Sequence, residues 1–376
     1  MGMDERICVM KTGNRWTRGM MALAVSLLAG AALAAYLESD GGRDSSPPPP
    51  VRPHPMPPRP PLPEPENAVT RLVRQVEVGR PSRYRQLTVF PLRLNPTTSS
   101  DIRTLDEAIG RDWLVIEEKS DAQVGSVRVR NASSQYVLLM SGEMLRGGKQ
   151  NRMVRDDVLM PPHSEFMEVP VYCGERERWS TPPSVRFESA KSLAGASLRA
   201  NAAAGASQDA IWGEIAEQSA RMKVASPTRD YQQVYDEPGV RRSLDEYFDH
   251  LRDVPSSSTV GAVVLLGDDV LGADLFSDPE LFSRLWRKIV DSYAVDAIAR
   301  GDRGEWRGRD AEVRAFLDRA LSARFHEQYT PGAGTGLSVA GSARGAALVW
   351  QGTAVHVALF GREYVSPVPI RDWPRM

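Results

Sequence analysis

The stretch Ser45–Glu66, SSPPPPVRPHPMPPRPPLPEPE, holds 12 of the chain's 28 prolines. Proline locks φ and has no N–H to donate, so this run joins neither a helix interior nor a sheet ladder and favours extended polyproline II, at ~3.1 Å per residue. Any hydrophobic core of the 376-residue chain must therefore come from the part that follows. The run reads as a spacer that holds a domain away from a surface. Docking into a proline-binding groove of a partner is the sharper alternative.

Ahead of the spacer, Lys11, Arg15 and Arg18 precede an uncharged run, Gly19–Leu37, with the apolar heart MMALAVSLLAGAALAA. Ala32-Leu33-Ala34 is a small-x-small cleavage pattern. The 19 residues of the run also come close to the ~20 needed to span a bilayer. Residues 1–37 thus read as a signal peptide or a retained membrane anchor, and membrane contact is expected through this segment if it is uncleaved. The chain is expected to be exported: periplasmic, cell-surface or tethered. Residues 38–80 read as a disordered proline-rich linker, 81–365 as a single α+β domain, and 366–376 as a tail.

Cleavage after Ala34 would remove four Lys/Arg and two Asp/Glu, leaving 43 basic (47 − 4) and 46 acidic (48 − 2) residues. A net charge so close to zero provides no field for a polyanion, and nucleic acid is not expected as a partner. Of the two cysteines, Cys8 and Cys173, the first lies in the leader, so no disulfide can form within the folded part. Five histidines without HxH or HExxH spacing argue against a transition-metal site. Neither GxGxxG nor GxxxxGK[ST] occurs, and no cofactor is expected.

From about Arg80, short apolar and β-branched runs recur between turn-formers: Leu87–Leu92, Trp113–Glu117, Ser126–Arg130, Tyr136–Met140, Met153–Met160 and Phe166–Tyr172. These predict antiparallel strands. Helical periodicity then predicts helices over Ser207–Lys223, from a Ser243-x-x-Glu246 capping box, from Asp278-Pro279, and over Glu312–Phe325. Val260–Phe276 and Gly345–Phe360 read as hairpins turning at Gly267-Asp268-Asp269 and Gln351-Gly352. Strands first, then helices mixed with hairpins and no βαβ alternation, define an α+β fold with helices packed on antiparallel sheets.

Two clusters carry candidate chemistry. In SGEMLRGGKQNR (Ser141–Arg152), a two-residue turn at Gly147-Gly148 would set Glu143 opposite Arg152. Side-chain alternation would then put Glu143, Gln150 and Arg152 on one face, with Lys149 and Asn151 on the other. This is either a cross-strand ion pair on a solvated tip or an acid, a guanidinium and an amide converging on a ligand. In CGERERW (Cys173–Trp179), Arg178 stands beside Trp179, a pairing that suits anionic or planar ligands.

These clusters, with the strand MVRDDVLMPPHSEF, SLRA (Ser197–Ala200), GADLFSDPELF (Gly272–Phe282), SYAVDAI (Ser292–Ile298) and the closing hairpin with His356, resemble the ADP-ribosylglycohydrolase and rhodanese-phosphatase-associated domain family over about Ser82 to Phe360. The chain departs from the resembling pattern at Gly148 (Ala), Tyr172 (Ser), Gly174 (Val) and Glu177 (Gly). The resemblance implies Glu143, Lys149, Gln150, Asn151, Arg152, Cys173, Glu175, Arg178 and Trp179 as site candidates. It brings no established reaction with it.

The expected function is binding of a small anionic ligand, nucleotide- or ADP-ribose-like, through Lys149, Gln150, Asn151, Arg152, Arg178 and Trp179. Two alternatives stand beside it. One is a hydrolase of such a ligand, with Glu143 or Glu175 as general base and Arg152 and Arg178 as the anion clamp. The other is a structural cell-envelope protein. Cys173 as nucleophile is a weaker variant, because a lone buried cysteine is usually a packing residue. His356, within an apolar hairpin, reads as a core histidine.

Overall fold

The computed structural model describes residues 66–97, 99–119, 125–178, 186–301, 304, 306–308 and 310–361. The leader, the proline-rich run, the tail and Trp179 lie outside these described residues. Among them, no helix is long and apolar enough to cross a membrane.

The first element among the described residues is a helix, Ala68–Gln75, inside the stretch read as linker. Val69, Leu72, Val73 and Val76 recur at i, i+3, i+4, i+7 and all are buried. Asn67 caps the helix by accepting from Thr70 N, and Thr70 Oγ1 accepts from Asn67 N in return. The linker reading thus runs too far: proline density ends at Pro65, and a capped amphipathic helix begins three residues later.

The α+β expectation holds, with antiparallel sheets and helices packed on them. The largest sheet has nine strands, with Thr259–Leu266 and Asp269–Phe276 at its centre and Thr353–Phe360 beside them. Every residue of Thr259–Leu266 is buried. Ala262, Val264 and Leu266 pack to one side, with helix Pro279–Arg300, while Val263 and Leu265 pack to the other, under Ala68–Gln75 and Asp310–Leu321. A six-stranded sheet runs Phe187–Leu193, Glu143–Gly147, Arg152–Val154, Met167–Cys173, Ser126–Asn131, Leu114–Glu118. Its two outer strands approach each other, so it curls around a third core that includes Val127, Leu145, Val169 and Phe187. A three-stranded sheet of Ile102–Thr104, Tyr136–Leu139 and Val158–Met160 covers that core, its first pair being parallel.

Both expected hairpins form, and helices Gln208–Arg221 and Pro279–Arg300 stand where the periodicity places them. Two helix ends differ. Ser243 sits inside helix Pro238–Leu251, where its hydroxyl donates to Gly239 O at 3.2 Å instead of capping. Pro238 starts that helix, since proline at the first position loses no hydrogen bond. The helix expected over Glu312–Phe325 is Asp310–Leu321, and Phe325 lies in strand Arg324–Gln328, paired with Thr335–Ala340.

Candidate functional site

The hairpin that carries the GGKQNR segment is wider than a two-residue turn. Met144 pairs with Met153 and Leu145 with Arg152, so Glu143 does not oppose Arg152. Asn151 draws the loop open: its Oδ1 accepts from Gly147 N at 3.0 Å, and its own N–H donates to Glu175 Oε2 at 3.2 Å. Gly148 has φ +54°, and a side chain there would run into the Phe187 ring and Glu118 Oε1. The Gly148 position thus needs glycine twice over.

The expected Glu143–Arg152 pair is replaced by two separate buried pairs. Glu143, fully buried, accepts from Lys288 Nζ at 2.7 Å and from Met140 N at 2.9 Å. Lys288 Nζ also donates to Asp106 at 2.7 Å. Burial alone would lower the Lys288 pKa, but the two carboxylates reverse the sign and hold the ammonium charged.

Arg152, 1% exposed, donates to Glu118 at 2.8 Å, to Gln150 Oε1 at 3.2 Å and to Cys173 Sγ at 3.5 Å. Burial pushes the Cys173 thiol up, opposite to what a nucleophile needs.

Five of the candidates do meet. Gln150 Nε2 donates to Arg176 O at 3.0 Å, and its Oε1 takes the Arg152 bond. Asn151 Nδ2 donates to Asp230 at 2.9 Å. Glu175, 2% exposed, takes Arg178 Nε at 2.9 Å, and Arg178 also donates to Gly148 O at 3.1 Å and Asn151 Oδ1 at 3.3 Å. Together these bonds lock the GGKQNR loop to the CGERER loop. Lys149 contributes its backbone N–H to Glu118 at 3.3 Å, with a half-buried side chain.

The outward product of this lock is Arg176. Its backbone N–H and that of Glu177 both donate to Thr228 O, at 3.2 and 3.1 Å. Its guanidinium lies 5.1 Å from the centroid of the Trp212 ring. Here opens a groove of about 250 Å³, lined by Arg176, Trp212, Ile215, Ser219, Ser226 and Arg229 among others, with no carboxylate in its lining. The Trp212 indole Nε1 is buried without a hydrogen-bond partner. Apolar side chains and the donor-bearing Arg176, Ser219, Ser226 and Arg229 line the same space. Trp212 falls in the helix expected over Ser207–Lys223, and Arg176 is not among the expected site residues. Trp179, the expected partner of Arg178, lies outside the described residues; among those described, Arg176 stands over a tryptophan 36 residues on (212 − 176).

A second buried charge cluster uses the remaining motifs. Arg199 pairs with Asp274, which also accepts from Tyr293 OH at 2.8 Å and bonds His356 Nε2 at 3.1 Å. His356 Nδ1 meets Asp157 Oδ2 at 2.6 Å, and Asp157 Oδ1 accepts from Ser141 N at 2.7 Å. Burial would lower the His356 pKa, but the flanking carboxylates push it up to about 9. SLRA, GADLF, SYAVDAI and the closing hairpin therefore converge on a buried ionic centre, and none of their residues lines the groove.

Taken together, these features define an α+β domain with a cation-lined surface groove set on a rigid polar scaffold. The chain belongs to the ARG and Rhodanese-Phosphatase-superfamily-associated Protein domain family, matched over residues 75–360. No curated protein and no solved structure matches it.

Proposed function

We propose that this domain binds a small anionic ligand with a planar or apolar part, nucleotide- or ADP-ribose-like, in the groove beside Trp212. The observation that carries this reading is the Arg176 guanidinium: it stacks on an aromatic ring, has no carboxylate within ion-pair distance among the described residues, and faces a lining free of acids. A guanidinium backed by tryptophan keeps its fork and its outer face available for phosphate and for a stacked ring. Ser219 and Ser226 add donors, and Ile215 adds apolar surface.

In this reading Gln150, Asn151, Arg152, Glu175 and Arg178 position the Arg176 loop instead of touching ligand. That favours binding over hydrolysis. The two candidate general bases, Glu143 and Glu175, are buried in ion pairs and neither lines the groove. The basic-then-apolar N-terminus supports presentation of the groove outside the cytoplasm, from a secreted or tethered chain.

Thermal shift with ADP, ADP-ribose, NAD and sugar phosphates tests the reading. At least one ligand is expected to raise the wild-type Tm, and Arg176→Gln and Trp212→Leu to abolish that rise with little change in the unliganded Tm. Absence of any shift across the set, or equal shifts in all three proteins, would leave the structural cell-envelope alternative in its place.

A further inference from the structure

The two guanidinium groups of the groove are not equivalent. Arg176 stands over the Trp212 ring and forms no ion pair among the described residues. Arg229 Nε lies 3.0 Å from Glu177 Oε1, in a pair whose side chains are 57% and 46% exposed. Glu177 follows Arg176 directly in the chain and reaches the groove through its contact with the lining residue Arg229. Thr228 O ties the backbone of both to the loop that carries Arg229. Breaking the Glu177–Arg229 contact therefore requires side-chain rotation and no movement of either loop.

We propose that Glu177 is a built-in competitor for Arg229, displaced by ligands that bring a second anionic group, as the diphosphate of a nucleoside diphosphate does. The inference rests on the groove being the ligand site. A ligand with one phosphate is satisfied by Arg176 and leaves the Glu177–Arg229 pair intact. A diphosphate reaches both guanidiniums, and its outer phosphate takes the place of the Glu177 carboxylate, which turns to water. An exposed carboxylate–guanidinium pair is weak enough for this exchange, holding its partner by roughly 1.5- to 5-fold in an equilibrium constant. Glu177 thereby sets a threshold on ligand charge: it lowers affinity for every anion that needs Arg229 and leaves the others alone.

Calorimetric titration of the full chain with ADP and with AMP decides the matter, using wild type, Arg176→Gln, Glu177→Gln, Arg229→Gln and the Glu177→Gln/Arg229→Gln double variant. Glu177→Gln is expected to tighten ADP roughly 1.5- to 5-fold and to leave AMP unchanged. Arg229→Gln is expected to remove the preference for ADP and, in the double variant, to cancel the gain from Glu177→Gln. Two results overturn the competitor while the groove stands: ADP binding that Arg176→Gln abolishes but Glu177→Gln leaves unchanged, or an equal gain from Glu177→Gln with and without Arg229. If neither nucleotide binds any of the proteins, the groove reading itself falls, and the competitor with it. Both side chains of the pair are exposed, so an unchanged Tm of each variant verifies that folding is intact.

Discussion

His356 and Asp157 bond to each other at 2.6 Å across 199 residues of chain. The imidazole belongs to strand Thr353–Phe360 of the nine-stranded sheet, and the carboxylate to the segment between Arg152–Val154 and Val158–Met160. With Asp274 on its other nitrogen, His356 pins the curled sheet to the large one.

This pin should be visible as a pH dependence of stability. The folded-state pKa of about 9 stands above the ordinary value of 6.5. The contribution is therefore full below pH 6.5 and is lost as pH rises through 9. It amounts to roughly 3 kcal/mol. Urea midpoints of the wild type are expected to fall between pH 7 and pH 9.5, and those of His356→Gln to start lower and show much less of that decline. Parallel curves for the two proteins would remove His356 as the cause.

Arg152 should behave as a structural ion rather than a ligand contact. Arg152→Met leaves the Glu118 carboxylate, 9% exposed, without its guanidinium, and a broken buried pair costs about 3–5 kcal/mol. Adding Glu118→Gln removes the orphaned charge and should recover part of that loss. Denaturant unfolding of the two single variants and the double variant gives the coupling; simple additivity would mean that the pair carries no stability.

The domain should need its first helix. A chain starting at Glu66 keeps Val69, Leu72, Val73 and the Asn67 cap, whereas one starting at Arg80 exposes the sheet surface beneath them. At about 1.5–3 kcal/mol for each large apolar side chain, the shorter chain is expected to lose several kcal/mol or fail to fold. Circular dichroism melts of the two chains compare them directly, and equal melting temperatures would show the helix to be dispensable.

A reporter fused after Pro65 should reach the outside of the cytoplasm, because Lys11, Arg15 and Arg18 precede an apolar run. Reporter activity confined to the cytoplasm would refute export. The mass of the mature chain then distinguishes cleavage after Ala34 from a retained anchor.

Much of the fold could be read in the sequence, because hydrophobic periodicity and turn residues act locally. The strand pair around Gly267-Asp268 and the helix at Asp278-Pro279 are examples. Helix Ala196–Ala203 could not be found that way: Ala196 to Ala202 are all buried, so the segment has no polar face to mark a period. The candidate site was legible as composition but not as pairing. Glu143 and Arg152 stand out in the sequence as a candidate pair, yet their partners, Lys288 and Glu118, lie 145 and 34 residues away. No local rule reaches that distance. The groove escaped for the same reason, since Arg176 and Trp212 meet only after helix Gln208–Arg221 has docked.

The segment Met140–Glu143 ties the first half of the domain to partners that are made late. Its Glu143 waits for Lys288, and Asp157, bonded to Ser141 N, waits for His356. During synthesis both carboxylates emerge long before their counterions, and an unpaired charge stays in water rather than enter a core. The first half therefore cannot seal its polar floor while the ribosome is still adding the second. Completion of this part of the structure is expected to wait for Thr353–Phe360, the last strand among the described residues.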